Sequence, residues 1–305
     1  MRIAIFGNIY RPVILLHIQV LFDYFKEKQA TILLEKVLYE FIFSRGSVNL
    51  DGTEIIQDDD FEADIAMSIG GDGTFLNTAA RIGNKQIPIL GINTGRLGFL
   101  ADVSSDDLIP ALDAILANQF RIEERTLLFV ETSDGTTFDY PYALNEVSVV
   151  KQDSSSMMSI NVSVNGEMVH TYQADGLIVS TPTGSTAYSM SVGGPLVVPQ
   201  AQNIILSPVA SHSLNVRPLI VPDSWVIELD VHSRSQNYLV AIDGRSKVLE
   251  HKTKLRVSKA NYTILIIKQL NHTFFDTLKN KLMWGVDKRN YFRVPRSAFC
   301  VPCSE

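Results

Sequence analysis

Three glycines and one aspartate occur together in Ile69-Gly70-Gly71-Asp72-Gly73-Thr74-Phe75-Leu76. The apolar run at 64–69 has the composition of a short strand, and the apolar residues at 74–82 recur at helical spacing. The tetrad therefore sits on a strand-to-helix turn. Glycines there let main-chain N–H groups come close to a ligand, and a helix N-terminus adds positive potential, which together make a phosphate site. The aspartate is the unusual part. A carboxylate repels phosphate unless it holds Mg²⁺ against it or takes a proton from an attacking hydroxyl. Both roles belong to phosphoryl transfer. The turn is not a Walker A loop, since no lysine follows the glycines. Nor is it a dinucleotide fingerprint, since Leu76 stands where the third glycine would be. The alternative is an ordinary tight turn.

Two further polar groups stand out. Asn145-Glu146 lies at the start of an apolar run, where side-by-side acceptors suit the cis-diol of a ribose; a solvent-facing strand end is the plainer reading. Asp175-Gly176 precedes a short strand. It is followed by Thr181-Pro182-Thr183-Gly184-Ser185-Thr186-Ala187-Tyr188-Ser189-Met190-Ser191-Val192-Gly193-Gly194. Dense hydroxyls and free N–H groups suit a phosphate or sugar, and Tyr188 can stack on a base. A Ser/Thr-rich turn accounts for the hydroxyls but not for the glycine pair as well.

The rest of the chain must position these groups. Strands alternate with helices through residue 121, which predicts an α/β domain with a parallel, doubly wound sheet. A helix is predicted over 13–27 and another over 31–43. A strand is predicted at 86–92, followed by the second glycine-rich loop, Asn93-Thr94-Gly95-Arg96-Leu97-Gly98, at the same carboxyl edge. From 122 to 270 period-two runs dominate, with hairpin signals at Asn165-Gly166 and Asp243-Gly244, which predicts an all-β sandwich. Residues 271–305 turn helical again and are expected to pack back on the first domain.

Composition narrows the function classes. The 305 residues are 46% hydrophobic and 20% charged, with net charge −6, which gives no general pull toward nucleic acid or anionic membrane. The apolar run at 13–22 is too short to span a bilayer and no cleavage site follows it. Cys300 and Cys303 lack further zinc ligands and read as reduced thiols without function, as a cytoplasmic location would have them.

Taken in order and spacing, Gly70-Gly71-Asp72-Gly73-Thr74, Asn145-Glu146 and the stretch at 181–189 resemble the NAD kinases of bacteria, over nearly the whole chain. The tetrad alone is shared with lipid kinases; the three stretches together are far more specific. The resemblance implies a Rossmann-like domain, a β-sandwich domain and NAD bound between them. It implies transfer of the γ-phosphoryl of ATP, or of polyphosphate, to the 2′-hydroxyl of the adenosine ribose, with Asp72 as proton acceptor. Gly70, Gly71, Gly73 and Thr74 would cradle the ATP phosphates. Asp72, Gly73, Asn77, Asn145, Glu146, Asp175 and Ala210 would contact NAD. Thr183, Thr186, Ala187, Tyr188, Ser189, Met190, Ser191 and Arg245 would contact it too. A divalent metal, Mg²⁺, is implied, with its direct ligands undefined, as is a homo-oligomer, tetramer or dimer. Departures from the family pattern are Ser156, Gln173 and Arg245, the last where glutamine is frequent. Two other readings differ in what they predict. A lipid kinase explains the tetrad but not the other two stretches, and would not phosphorylate NAD. A non-catalytic dinucleotide binder would bind without turnover and gives Asp72 no task.

Overall fold

The computed structural model describes residues 1–285 except 12, 47, 96–97, 153–156 and 271. Ser156, Cys300 and Cys303 therefore lie outside the described residues.

The first region runs β1 (Arg2–Gly7), α1 (Ile14–Glu27), β2 (Thr31–Glu35), α2 (Lys36–Arg45), β3 (Glu54–Ile56), β4 (Ile65–Gly70), α3 (Asp72–Ile82), β5 (Ile89–Asn93), β6 (Val103–Ser104) and α4 (Leu108–Leu116). Its strands pair in parallel in the order β5-β4-β1-β2-β3. They read as continuous apolar runs because both faces are covered. On one face Ile3, Ile5 and Met67 pack against Ile18, Leu21, Leu38 and Leu112 of α1, α2 and α4. On the other, Ala4, Phe6 and Ala66 pack against Phe75, Ala79 and Ile82 of α3. Burying Phe75 alone is worth roughly 2–3 kcal/mol, and it fixes the helix whose first residue is Asp72.

The second region contains β7 (Phe120–Thr132), β8 (Tyr142–Ala143), β9 (Glu146–Lys151), β10 (Met158–Val164), β11 (Glu167–Ala174), β12 (Gly176–Ser180), α5 (Tyr188–Ser191), β13 (Asn203–Val209), β14 (Leu219–Pro222), β15 (Ile227–Ser233), β16 (Asn237–Ile242), β17 (Arg245–Glu250) and β18 (Leu255–Gln269). A short 3₁₀ turn, Thr183–Thr186, precedes α5. One sheet has the order β14-β13-β12-β9-β16-β17 and packs on β10, β11, β15 and β18 through a shared core around Met158, Val162, Leu229 and Tyr238. Asn165-Gly166 and Asp243-Gly244 are tight hairpin turns as expected: all four residues have positive φ, the type I′ geometry that matches strand twist. The final helix α6 (Phe274–Leu282) returns to the first region through Phe274 on Phe99.

Three expectations need correction. Residues 31–35 form a strand, not the start of a helix. Ile32, Leu33 and Leu34 are all buried, pairing with β1 on one side, and the helix begins only at Lys36. A short apolar run carries no period of its own, so the following helical spacing was extended over it. Within the sandwich expected over 122–270, Leu255–Gln269 form one long strand, β18. It pairs with β15 in the sandwich and with β5 in the parallel sheet, joining the two regions through a single sheet. The strands β13, β14 and β17 carry no period-two signal in sequence. In β13, Ile204 through Pro208 are all buried, because one face meets the sandwich core and the other lies under the 183–191 loop.

Candidate active site

At the end of β4 the chain turns through Gly70 and Gly71 into α3, with Gly71 as the helix cap. Thr74 folds back on Gly70, where a Cβ would overlap its side chain. Gly71 and Gly73 instead face open space, with no atom near the position a Cβ would take. Main chain with positive helix-end potential is thus presented to a hollow, as an anion site requires.

Asp72 is held by the second glycine-rich loop. Its Oδ1 accepts from the N–H groups of Leu100 at 3.0 Å and Ala101 at 3.1 Å, and its Oδ2 from that of Phe99 at 3.0 Å. The ammonium of Lys281, from α6, lies 3.3 Å from Oδ2. Burial pushes the carboxyl up. The N–H of Phe99, Lys281 and the N–H groups of Ala101 and Leu100 outweigh it and hold the group below its ordinary value. Asp72 is therefore ionised at neutral pH. Gly98 makes the approach possible: a Cβ there would overlap Oδ1 and stand 2.8 Å from Cγ. We expect Gly98→Ala to push the carboxylate out of its collar. Steady-state kinetics should show kcat falling by about tenfold to a hundredfold.

Residues far apart in sequence assemble the second cluster. Thr181 donates its N–H to the Asn145 carbonyl at 2.9 Å and its hydroxyl to the Leu144 carbonyl at 2.6 Å. The Thr181 hydroxyl in turn accepts from the N–H of Gly184 at 3.1 Å. Ser189 in α5 bonds Ser207 of β13 at 2.9 Å. The carboxylate of Glu146 accepts from the N–H of Tyr188, and its Oε2 is buried without a protein partner. Asp243 ties the cluster together, accepting from the N–H groups of Leu144, Asn145 and Glu146 at 2.7, 2.9 and 3.0 Å. In sequence Asp243 marks only a hairpin; nothing in its neighbours points to a clamp on a segment almost a hundred positions away.

Burial, followed by the nearby Asp243, raises the Glu146 carboxyl to about 7, against the Tyr188 N–H, which lowers it. An orphaned, buried carboxylate oxygen leaves an acceptor position open to a donor from outside the chain. The sign follows. A folded-state value above the unfolded one means that the free protein loses stability as pH climbs from the ordinary carboxylate range to about 7. A ligand that donates to the ionised form should bind better over the same rise. Titration calorimetry with NAD should show affinity increasing from about pH 6 to about pH 8, and Glu146→Gln should flatten that dependence.

A hollow of about 590 Å³ lies between the two regions. Gly71, Gly73, Thr74 and Asn77 line it from one side and Asp243 and Arg245 from the other. The Nε and Nη1 of Arg245 are buried without a hydrogen-bond partner, while Nη2 donates to the Tyr142 carbonyl at 2.8 Å and the guanidinium carbon lies 5.2 Å from the centroid of the Tyr140 ring. Arg11, missed in the sequence, also lines the hollow and lies against Gly95. Asp72 is not on its wall, because its carboxylate is turned toward the 99–101 loop. Asp175 and Ala210 are not brought to this end at all. Asp175 pairs with Lys151 at 2.7 Å and bonds Val209 beside Ala210, at the far end of β9 and β12. That end is about 16 Å from Glu146 at ordinary strand rise. Gln173, the other departure, donates to the Ser159 hydroxyl at 2.7 Å.

A second hollow of about 570 Å³ on the sandwich, between residues such as Asn161 and Arg256, is remote from both glycine loops. Four of its charges pair, Arg256 with Glu131 at 3.1 Å and Lys254 with Asp230 at 3.3 Å. Among the described residues no group of His, Cys, Asp or Glu is placed to hold a metal ion, and no helix is long and apolar enough to cross a membrane.

Known proteins share the sequence and the fold of this chain. The family model for the ATP-NAD kinase N-terminal domain matches residues 23–120, and that for the ATP-NAD kinase C-terminal domain matches 144–269. An NAD kinase of Bacteroides fragilis is 50% identical over 289 residues, covering 95% of this chain and 100% of that protein. An NAD kinase of Cytophaga hutchinsonii is 38% identical over 292 residues, again covering 95% and 100%. Among solved structures, yeast NADH kinase complexed with NADH has the same fold, with a TM-score of 0.86 at 20% identity over 94% of this chain and 88% of that one. An NAD kinase from Archaeoglobus fulgidus in complex with ATP superposes with a TM-score of 0.72 at 25% identity over 93% and 99%. With both family domains matched in one chain and a relative 50% identical along its full length, this protein belongs to the NAD kinase family.

Proposed function

We propose that the chain transfers the γ-phosphoryl group of ATP to the 2′-hydroxyl of the adenosine ribose of NAD, giving NADP, with Asp72 as the proton acceptor. The observation that carries this reading is the placement of Asp72: an aspartate held by three main-chain N–H groups at the start of α3, beside glycines that leave main chain open to an anion. In this reading the triphosphate, as its Mg²⁺ complex, lies on Gly70, Gly71, Gly73 and Thr74. The adenosine side of NAD meets Asn145, Glu146 and the 183–191 loop. Asn77 and Arg245 contact it from the hollow. Asp175 and Ala210 would reach NAD only from another copy, or through a ligand spanning the sheet, which fits a homo-oligomer. Polyphosphate is a further possible donor, and a cytoplasmic location suits the reaction. The division into 1–121, 122–270 and 271–305 belongs to the same reading.

The purified protein incubated with NAD and Mg-ATP should form NADP, read by an NADP-specific dehydrogenase. NADH and polyphosphate as alternative substrates define the range. Tight NAD binding without NADP would favour the non-catalytic reading, and phosphorylation of a lipid with none of NAD would favour the lipid kinase.

A further inference from the structure

The donors around Asp72 are not equivalent. A carboxylate offers about four acceptor positions. Three are filled by main-chain N–H groups of Phe99, Leu100 and Ala101, fixed by their loop. The fourth is filled by Lys281, the one flexible side chain in the set, 31% exposed. In this arrangement no position is free to accept a hydroxyl proton, and only Lys281 can leave without unfolding the loop. It also has somewhere to go. Its Nζ already lies 4.4 Å from the centroid of the Phe99 ring, where a cation is attracted to the ring face. The helix carrying it is anchored independently. Phe274 packs on Phe99 with centroids 6.2 Å apart. Arg121 donates to the His272 carbonyl at 2.9 Å, and Thr273 with Asp276 forms a capping box.

We infer that Lys281 is a positioning residue for Asp72. It occupies the Oδ2 position that accepts the proton, holds the carboxylate ionised while the site waits, and yields that position to the sugar hydroxyl. This rests on the reading of Asp72 as proton acceptor. When the hydroxyl enters, its O–H bond breaks and the proton passes to Oδ2. The oxygen's electron pair forms the bond to the γ-phosphorus. The bond from that phosphorus to the β–γ bridging oxygen breaks, and ADP leaves with the pair. Among the described residues Lys281 is the charged side chain that bears on Asp72; α3 and the 99–101 loop present only main chain to it. Arg96 lies outside the described residues.

The test compares Lys281→Met with Lys281→Arg in the full chain, measuring kcat, KM for NAD and their pH profiles. Met keeps the packing on Phe99 but not the charge. Its acid limb should move up by about one pH unit, because activity is lost as pH falls through the Asp72 value and that value rises without the ammonium. KM for NAD should fall, since nothing has to be displaced. Arg keeps the charge but grips a carboxylate with a fork that leaves less readily. Its acid limb should stay low while kcat/KM for NAD drops about tenfold. A structural ion pair would show the reverse, damage with Met and rescue with Arg, and that result overturns the inference. So does an acid limb unmoved in Lys281→Met. If Asp72→Asn keeps full activity, the Asp72 reading itself has failed. If Asp72→Asn is inactive while Lys281→Met behaves as wild type, only the role of Lys281 has failed.

Discussion

Asp72→Asn should form NADP about 10²–10⁴ times more slowly than the wild type, the usual contribution of a general base, or about 3–5 kcal/mol of barrier. The substitution keeps size and shape but removes the charge and the proton-accepting capacity. KM for NAD should change little, because the loss falls on the transition state rather than on binding. One side effect is foreseen. The amide NH₂ of an asparagine must face at least one of the N–H donors of Phe99, Leu100 and Ala101, so the loop loses a bond. Thermal melting and NAD titration on the same protein separate the two effects. A small drop in melting temperature with near-normal NAD affinity assigns the lost rate to chemistry. Lost NAD binding would assign it to the loop.

Gly184→Ala should be the most damaging small substitution in the second cluster. A Cβ at Gly184 would lie 2.5 Å from the carbonyl carbon of Asn145 and 2.8 Å from its Cα. Both are main chain, and that main chain cannot retreat. The N–H groups of Leu144, Asn145 and Glu146 are all held by Asp243, and the Asn145 carbonyl accepts from Thr181. Overpacking against such a site costs about 3 kcal/mol or more. For a chain of this size the melting temperature should fall by roughly 5–10 °C. The 183–191 loop would part from Asn145 and Glu146, so NAD binding should weaken with it. A scanning calorimetry trace unchanged from wild type would contradict the packing described.

The parts of this site legible in sequence are those written in local residue types. Gly70 through Thr74 mark a strand-to-helix turn by glycine spacing alone, and the fold builds that turn between β4 and α3 with Gly71 and Gly73 open. Asn145-Glu146 stands out as paired acceptors and the 181–191 stretch as dense hydroxyls with free N–H groups, and the fold joins the two through Thr181. The parts that were not legible are side-chain bonds to distant main chain. Asp243 sits in a good type I′ turn, and that local role hid its bonds to Leu144 and Asn145. Lys281 lies on an amphipathic helix, where a lysine normally marks a solvated face, and its partner is 209 positions away. The strand at Thr31–Glu35 was lost for the opposite reason: its burial on two faces removed the alternation that would have identified it. Asp175 and Ala210 were grouped with the site by resemblance alone, and in a single chain they sit at the other end of the sheet.

The central claim is that a sugar hydroxyl gives its proton to Asp72 as it takes a phosphoryl group. A single-turnover reaction with γ-labelled ATP and NAD tests it most directly. The account predicts label on the 2′-position of NADP with the wild type and almost none over the same time with Asp72→Asn, both proteins binding NAD. Label appearing on NADP at the same rate with both would contradict it.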